Sequence, residues 1–253
     1  MDLQKQPSKS RLRCLQTDGR KFKMNINLTL MIGVCALCAA VFIIRRSFKK
    51  DVISLLLKTL ASICFVILGF CSALWAENFD RAGILIIGLI FGMLGDIFLD
   101  LKYVDLPNTT AYTAAGFAAF IFGHVFFITF ILDHNPEIAQ GKLISLIAGI
   151  AGGVLIYATP KLMKLSYGPF RVISAVYGAI LVFITVYAGF KAFQNTTYFT
   201  LLFFIGLVCF LLSDLVLSQI YFGENRDTPA MSAVNHSLYY IAQIMIAASI
   251  YYA

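Results

Sequence analysis

Three aspartates stand inside long apolar segments of this chain. Asp96 and Asp100 lie four residues apart in a segment that begins near Ala82, and Asp214 lies in a second such segment. An ionised carboxylate in hydrocarbon is costly, so such a residue normally faces a protein interior or a wet cavity. Two carboxylates close together in a buried site suit acid–base chemistry, because their mutual repulsion keeps one of them protonated. These aspartates are therefore candidate functional residues.

The segments around Asp96 and Asp214 resemble each other. Both begin with Gly-Leu, at Gly88 and Gly206, and both end with a small residue followed by aspartate, 118 positions apart. Apolar helices also resemble one another by composition alone. We interpret the match as an internal repeat, and because the two segments are four spans apart, the repeat would be parallel, with Asp96 and Asp214 at similar depth.

The composition indicates a membrane protein. Of the 253 residues, 60% are hydrophobic and 13% charged, and the mean hydropathy is +0.83. A soluble domain of this composition would expose large apolar patches. The net charge of +7 arises in the N-terminal region and the short loops, where basic residues report topology, so we expect no nucleic-acid partner.

Eight apolar runs are long enough to span a hydrocarbon core of about 30 Å. The sequence therefore predicts an all-α, polytopic membrane bundle of eight transmembrane helices, arranged as two parallel four-helix repeats. Residues 1–24 hold seven Lys or Arg and no apolar run, which indicates a basic, disordered tail ahead of a transmembrane domain at 25–253. The predicted spans are about 25–44, 53–73, 82–101, 111–132, 143–159, 170–190, 198–221 and 231–252.

The distribution of basic residues bears on orientation and location. The loops after the odd-numbered spans carry nine Lys or Arg, and the other side carries three without the tail or ten with it. We expect the nine-charge side to be cytoplasmic, because the charge of short loops sets topology. We also expect a multi-pass protein of a bacterial inner membrane rather than of the endoplasmic reticulum.

Helix direction places several polar residues in one half of the bilayer. Five of them lie towards the nine-charge side: Lys58, Asp96, Asp100, Asp214 and His236. His124 lies deeper, and Tyr177 and Gln243 lie at intermediate depth. We expect these residues to surround a cavity with aromatic walls. It would suit a long-chain amphiphile whose head group stays near the charged rim. We expect no metal site, since the histidines stand on separate helices without a ligand set. The expected walls are Phe91, Phe98, Phe117, Phe120 and Phe126.

Each of these residues also has a structural interpretation. In this interpretation Asp96 and Asp214 simply pair with Lys58 and lock the bundle, although an ion pair in lipid is a costly way to gain stability. Asp100 stands near the interface and could be solvated. His124 and His236 could be packing residues, and the C-terminal tyrosines interfacial aromatics. Glycines at Gly88, Gly92 and Gly95 are typical of close helix packing.

The polar positions, taken in order, resemble the YhhN-like membrane proteins that include the lysoplasmalogenases. The resemblance covers nearly all of the chain from about residue 30. Two positions depart from the family pattern: Thr59 stands where proline is expected, and Phe127 where tyrosine is usual. The matching positions are Lys58, Gly95-Asp96-Ile-Phe-Leu99, Phe120-x-x-x-His124, Tyr177, Ser213-Asp214 and Tyr240-x-x-Gln243.

The resemblance implies hydrolysis of the vinyl ether bond of lysoplasmalogen to a fatty aldehyde and glycerophosphoethanolamine or glycerophosphocholine, without a cofactor. Protonation of the vinyl β-carbon followed by attack of water needs an acid, a base and a nearby negative charge. Our hypothesis is that Asp96 and Asp214 are this pair, with their two roles unassigned. The remaining substrate-binding residues would then be Lys58, Asp100, His124, Tyr177, His236, Tyr240 and Gln243.

Two other functions fit the same residues. A proton-coupled carrier of a small molecule or lipid also uses repeats and buried Asp, His and Lys residues, but it needs access from both sides, whereas these carboxylates lie towards one face. The third possibility is a non-catalytic lipid-binding or scaffold protein. That function would not explain why each repeat contains a carboxylate. Beyond the lysophospholipid substrate and membrane lipid, the sequence predicts no partner, and small residues at Gly149, Gly152 and Gly153 would serve packing within or between chains alike.

Overall fold

A computed structural model describes residues 9–133, 138–158, 160 and 164–253, and for residues 9–25 it describes the helical backbone alone. The described chain forms eight long α-helices joined by short connections. The helices are α1 (Lys9–Phe48), α2 (Val52–Trp75), α3 (Phe79–Leu101), α4 (Thr109–Asp133), α5 (Ala139–Ala158), α6 (Arg171–Gln194), α7 (Tyr198–Phe222) and α8 (Pro229–Ser249).

The helix ends follow from local sequence. Asp51 caps α2 by accepting a hydrogen bond from the Ser54 amide at 2.9 Å. Thr228 caps α8 in the same way, and Pro229 occupies the first helical position, where its missing N–H costs nothing. Short 3₁₀ turns precede α4 and α6 at Leu106–Asn108 and Gly168–Phe170. The caps mark where α2 and α8 begin, and the 3₁₀ turns mark where α4 and α6 begin.

Seven of the described helices are long and apolar enough to cross a membrane. The eighth, α8, is not among the seven because it carries Asn235, His236 and Gln243, but at 21 residues it is about 30 Å long and packs within the same bundle. Exposed apolar side chains cover the outside, as at Leu146 and Val154 of α5. The all-helical, polytopic bundle predicted from the sequence is therefore confirmed.

The two halves of the bundle pack alike. In the first half α1 packs on α2 and α3 on α4, and in the second half α5 packs on α6 and α7 on α8. Across the halves, α2 packs against α8 as α6 packs against α4. Gly88 of α3 approaches α4, and its counterpart Gly206 of α7 approaches α8. These contacts agree with a pair of parallel four-helix repeats, except that α1 also packs extensively on α8 and, among the described residues, α5 makes no contact of that extent with α4.

Helix α1 begins at Lys9, inside the segment predicted as a basic tail, and its apolar part from Ile26 is the first membrane span. Residues 1–8 lie outside the described residues, and the division of the chain at residue 24 stays a prediction. The other predicted spans agree with the helices to within a few residues.

Candidate functional site

The two carboxylates of α3 share one basic partner. Asp96 and Asp100 lie on the same face of the helix because they are four residues apart, and they are 2% and 1% exposed. The Nζ atom of Lys58, on α2, lies 3.3 Å from Asp96 Oδ1 and 3.1 Å from Asp100 Oδ1. The lysine reaches both carboxylates because helix α2 packs directly on α3.

A second cation completes this buried set. Arg46, near the end of α1, donates from Nη1 to Asp100 Oδ2 at 3.0 Å, and its guanidinium lies 4.2 Å from the centre of the Tyr103 ring. Two carboxylates thus face two cations in the interior, as buried charges require. From the sequence, Arg46 is only one of the basic residues that indicate topology. Its position beside the charged rim is the feature that predicts a role at the site.

Two hydroxyl groups also bind Asp96. Ser62 of α2 donates to Asp96 Oδ2 at 2.6 Å, and Tyr239 of α8 donates to the same oxygen at 2.7 Å. Gln243 donates to the Tyr239 hydroxyl at 2.9 Å, which orients it. Neither is among the substrate-binding residues predicted from the sequence, because a serine in an apolar span resembles a packing residue. For Tyr239, in the middle of α8, the sequence leaves open a place in the polar lining of the cavity or a role as an interfacial aromatic.

Asp214 has a different environment. Tyr177 of α6 donates a hydrogen bond to Asp214 Oδ2. Among the described residues, no basic side chain forms an ion pair with Asp214. Lys58 therefore pairs with the two carboxylates of α3, and the arrangement in which one lysine locks Asp96 to Asp214 is not found.

Asp96 and Asp214 line the same small cavity. Its volume is about 20 Å³, enough for about one water molecule. Lys58, Tyr239 and His236 also line it, together with Ser213 and Asn235, which hydrogen-bond to each other at 2.9 Å. The two halves of the repeat thus bring one carboxylate each to one polar, water-sized space, as the depth argument predicts.

A larger apolar cavity adjoins the small one. Its volume is about 150 Å³, and it lies among α4, α5, α6 and α7. Asp214, Leu217 and Tyr221 line both cavities. Of the aromatic walls predicted from sequence, Phe117 lines the large cavity and Phe120 the small one, whereas Phe91 stacks on Phe126 in a separate aromatic cluster with ring centres 5.5 Å apart.

The remaining predicted residues surround the carboxylates without all touching them. His124 donates from Nδ1 to the Phe120 carbonyl at 2.8 Å, and its ring lies 5.5 Å from that of Tyr177. His236 lines the small cavity and packs edge-on against Phe42 at 4.9 Å. Tyr240 donates to the Lys58 carbonyl at 3.3 Å. Gln243 reaches Asp96 only through Tyr239.

One comparison with known proteins, the scan against protein-family models, identifies a family. The model of the YhhN family matches residues 53–250, which is most of the chain. No match was found among curated proteins or among solved structures. The chain belongs to the YhhN family.

Proposed function

We propose that this YhhN family member hydrolyses the vinyl ether bond of lysoplasmalogen, releasing a fatty aldehyde and a glycerophospho-base. The observation that carries the proposal is the water-sized cavity lined by two carboxylates, Asp96 and Asp214, which shares lining residues with an adjoining apolar cavity. Hydrolysis of this bond needs an acid, a base, one water molecule and a place for an alkenyl chain.

The contacts of the two carboxylates suggest how the roles divide. Asp96 lies beside the Lys58 ammonium and accepts hydrogen bonds from two hydroxyl groups, contacts that stabilise a negative charge. Asp214 borders the apolar cavity and has a neutral tyrosine as its donor. We therefore assign the proton donor to Asp214 and the base to Asp96, an assignment that the sequence leaves open.

The proposed reaction returns both groups to their starting state. Asp214 gives its proton to the β-carbon of the vinyl ether, and the oxocarbenium ion that forms is stabilised by the negative charge of Asp96. Asp96 then takes a proton from the water that attacks the α-carbon, which gives a hemiacetal. When the hemiacetal collapses, Asp96 returns that proton to the departing glycerol oxygen, and Asp214 takes the hydroxyl proton as the aldehyde forms.

The apolar cavity supplies the site for the chain. Phe117, Leu181 and Leu211 are among its walls, and Asp214 is its polar boundary. An alkenyl chain bound there would hold its vinyl group against the assigned acid while the glycerol oxygen points towards Lys58. Leu217 and Tyr221 line both cavities, so the vinyl group would lie beside these two residues and face the carboxylates.

The test is aldehyde release from a vinyl-ether lysophospholipid by the purified protein in detergent. Asp96→Asn and Asp214→Asn should each lower kcat by about a hundredfold or more, because each removes a proton-transferring group. Asp80→Asn is the matched control, since Asp80 is an exposed aspartate at the other end of α3. The saturated ether analogue should release nothing.

Two outcomes would contradict the proposal. One is the absence of aldehyde from folded protein with every head group tried, which would favour the carrier. The other is full activity in either asparagine variant, which would remove that aspartate from the chemistry. Size-exclusion elution and thermal unfolding of each variant show whether it is folded.

A further inference from the structure

A polar cavity of about 190 Å³ lies where the end of α1 meets the start of α8. Among the side chains that line it are three basic ones, Arg46, Lys49 and Lys50, and one carboxylate, Asp227. The formal charge of these four groups is therefore positive, and an anionic group is the ligand that such a lining favours. We refer to this cavity as the vestibule.

The vestibule leads towards the carboxylates. A narrow space of about 10 Å³ shares Arg46, Lys50 and Asp227 with the vestibule. The same narrow space shares His236 and Tyr221 with the cavity that holds Asp96 and Asp214. The narrow space also shares Leu217 and Tyr221 with the apolar cavity, so the vestibule stands at one end, and the carboxylate pair and the apolar cavity lie together beyond the narrow space. A lysoplasmalogen likewise carries its head group at one end, with its vinyl ether and chain beyond it.

One ion pair in the vestibule is exposed enough to bind a ligand that carries both a negative and a positive group. Lys50, at the end of α1, pairs with Asp227, just before α8. Their side chains are 32% and 38% exposed, so water and ligands reach both charges. A ligand that carries both a phosphate and an ammonium group would meet the lysine with the first and the aspartate with the second, and so replace one ion pair by two.

Arg46 adds a second anchor for the phosphate. Its guanidinium has five N–H donors in a planar fork, and its bond to Asp100 uses one of them. The side chain is held in place by that bond and by the Tyr103 ring, so little conformational freedom is lost when it binds an anion. The side chain is only 4% exposed, so it would hold a phosphate at the inner end of the vestibule, where the vestibule meets the narrow space.

We propose that the vestibule binds the head group of a zwitterionic lysophospholipid, with Arg46 and Lys50 on the phosphate and Asp227 on the ammonium. The inference rests on the proposed function for the identity of the ligand. It adds the residues that would hold the charged head group of that substrate, which the carboxylate pair does not contact.

The experiment measures binding rather than turnover. Dissociation constants are compared for three saturated 1-O-alkyl lipids of one chain length: the glycerophosphoethanolamine, the glycerophosphate and the bare alkylglycerol. The protein is the full chain in one detergent, so that partition into micelles is the same for every variant. The variants are Lys50→Gln and Asp227→Asn, and the control is Lys164→Gln, an exposed lysine of the α5–α6 connection on the same side.

The proposal predicts a specific pattern. Asp227→Asn should weaken binding of the phosphoethanolamine lipid by about fivefold and should not weaken binding of the glycerophosphate lipid, because only the first carries an ammonium group. Lys50→Gln should weaken binding of both phosphate-bearing lipids by about fivefold. Binding of the alkylglycerol should not change in either variant, and Lys164→Gln should bind all three lipids like the parent.

Unchanged binding of all three lipids in both variants would overturn the proposal. Equal weakening for the alkylglycerol would overturn it too, because that ligand has no head group for the vestibule to hold. The result is separable from the proposed function: selective binding without aldehyde release rejects the hydrolase alone, and aldehyde release without head-group selectivity rejects the vestibule alone.

Discussion

Asp100 shows how the environment of one residue changes its interpretation. From sequence it stands close enough to the interface to be solvated, but it is 1% exposed and bonded to both Lys58 and Arg46. Because it bonds to both, it fixes the position of Lys58, which also reaches Asp96. We interpret Asp100 as a positioning residue whose removal would leave two buried cations with one carboxylate.

Arg46 and Arg45 form a natural matched pair for testing this ion network. Arg46→Ala should destabilise the protein by about 3 kcal/mol, because it leaves Asp100 with a single cation in the interior. Arg45→Ala should cost under about 0.5 kcal/mol, since Arg45 pairs with Asp51 where both side chains are substantially exposed. Thermal unfolding in one detergent compares them. Equal losses of stability would show that the Asp100 pair is no stronger than a surface pair.

The two neighbouring tyrosines of α8 test the contacts of Asp96. Tyr239→Phe removes a hydrogen bond to the carboxylate, and under the proposed function it should lower kcat by about tenfold to a hundredfold with little change in KM. Ser62→Ala should act similarly. Tyr240→Phe is the comparison, because its hydroxyl contacts the Lys58 carbonyl and Ser62 Oγ, at 3.3 and 3.4 Å, and not Asp96 itself. A larger loss of kcat in Tyr240→Phe than in Tyr239→Phe would contradict the assigned contacts.

At this scale the sequence reveals charged residues better than their hydrogen-bond partners. Asp96, Asp214 and Lys58 stand out because a charge in an apolar span is rare. Ser62 does not stand out, since a small hydroxyl residue is ordinary in a helix that packs closely. Its role depends on the rotation of α2 against α3, which is set by packing across the whole interface and not by residues near Ser62 in sequence.

Between helices, backbone contact through glycine determines the close packing. A Cβ at Gly149 of α5 would lie 2.7 Å from the Ala179 carbonyl oxygen of α6, and one at Gly153 would lie 3.0 Å from the Ala175 carbonyl oxygen. The small-residue stripe of α5, whose role the sequence leaves open, thus packs within the chain. Backbone atoms cannot rotate away as side chains can, so a larger residue must separate the helices.

Gly149→Ala should therefore destabilise the protein, by about 1–3 kcal/mol, because it forces α5 away from α6. Gly83→Ala is the control: a Cβ there meets nothing within 4 Å, so the higher helix propensity of alanine should leave stability unchanged or raise it slightly. Both variants are compared by thermal unfolding. If Gly149→Ala is as stable as Gly83→Ala, the close α5–α6 contact is wrong.

Helix positions follow from hydropathy, because each span must satisfy its backbone within itself and cover itself with apolar side chains. This is why spans such as 53–73 and 198–221 match α2 and α7 closely. The extent of α1 does not follow, since its N-terminal half lacks an apolar run and its helix depends on continuation from the span. Hydropathy alone also does not identify α8 as a membrane span, because its polar residues lower the mean hydropathy although they are buried inside the bundle.

The stability of the whole molecule should depend on pH through Lys102, at the end of α3. Burial lowers the pKa of Lys102 from 10.5 to about 7, although Asp100 opposes the shift, and the ammonium lies over the Tyr221 ring. Between these values the unfolded chain binds a proton that the folded protein has released, so stability should rise as the pH increases from 7 towards 10.5.

Lys102→Gln should flatten that rise. Thermal midpoints measured between pH 7 and 9.5 provide the comparison, because the pKa of Tyr103, raised by burial to about 12, acts in the opposite direction only at higher pH. The parent should gain in midpoint across this range relative to the variant. Parallel pH profiles for the two proteins would show that Lys102 stays protonated in the fold.

The shared cavity of Asp96 and Asp214 has a consequence for the ancestry of the site. If one four-helix unit was duplicated, an ancestral pair of identical units would have presented the same aspartate twice to one space between them. Two equal carboxylates would have come from a single inherited position. Divergence of the copies then needed only to give one of them Lys58 as a neighbour and to leave the other beside the apolar cavity. Chemical asymmetry would thus have arisen within a symmetric scaffold, through changes around the aspartates rather than in them.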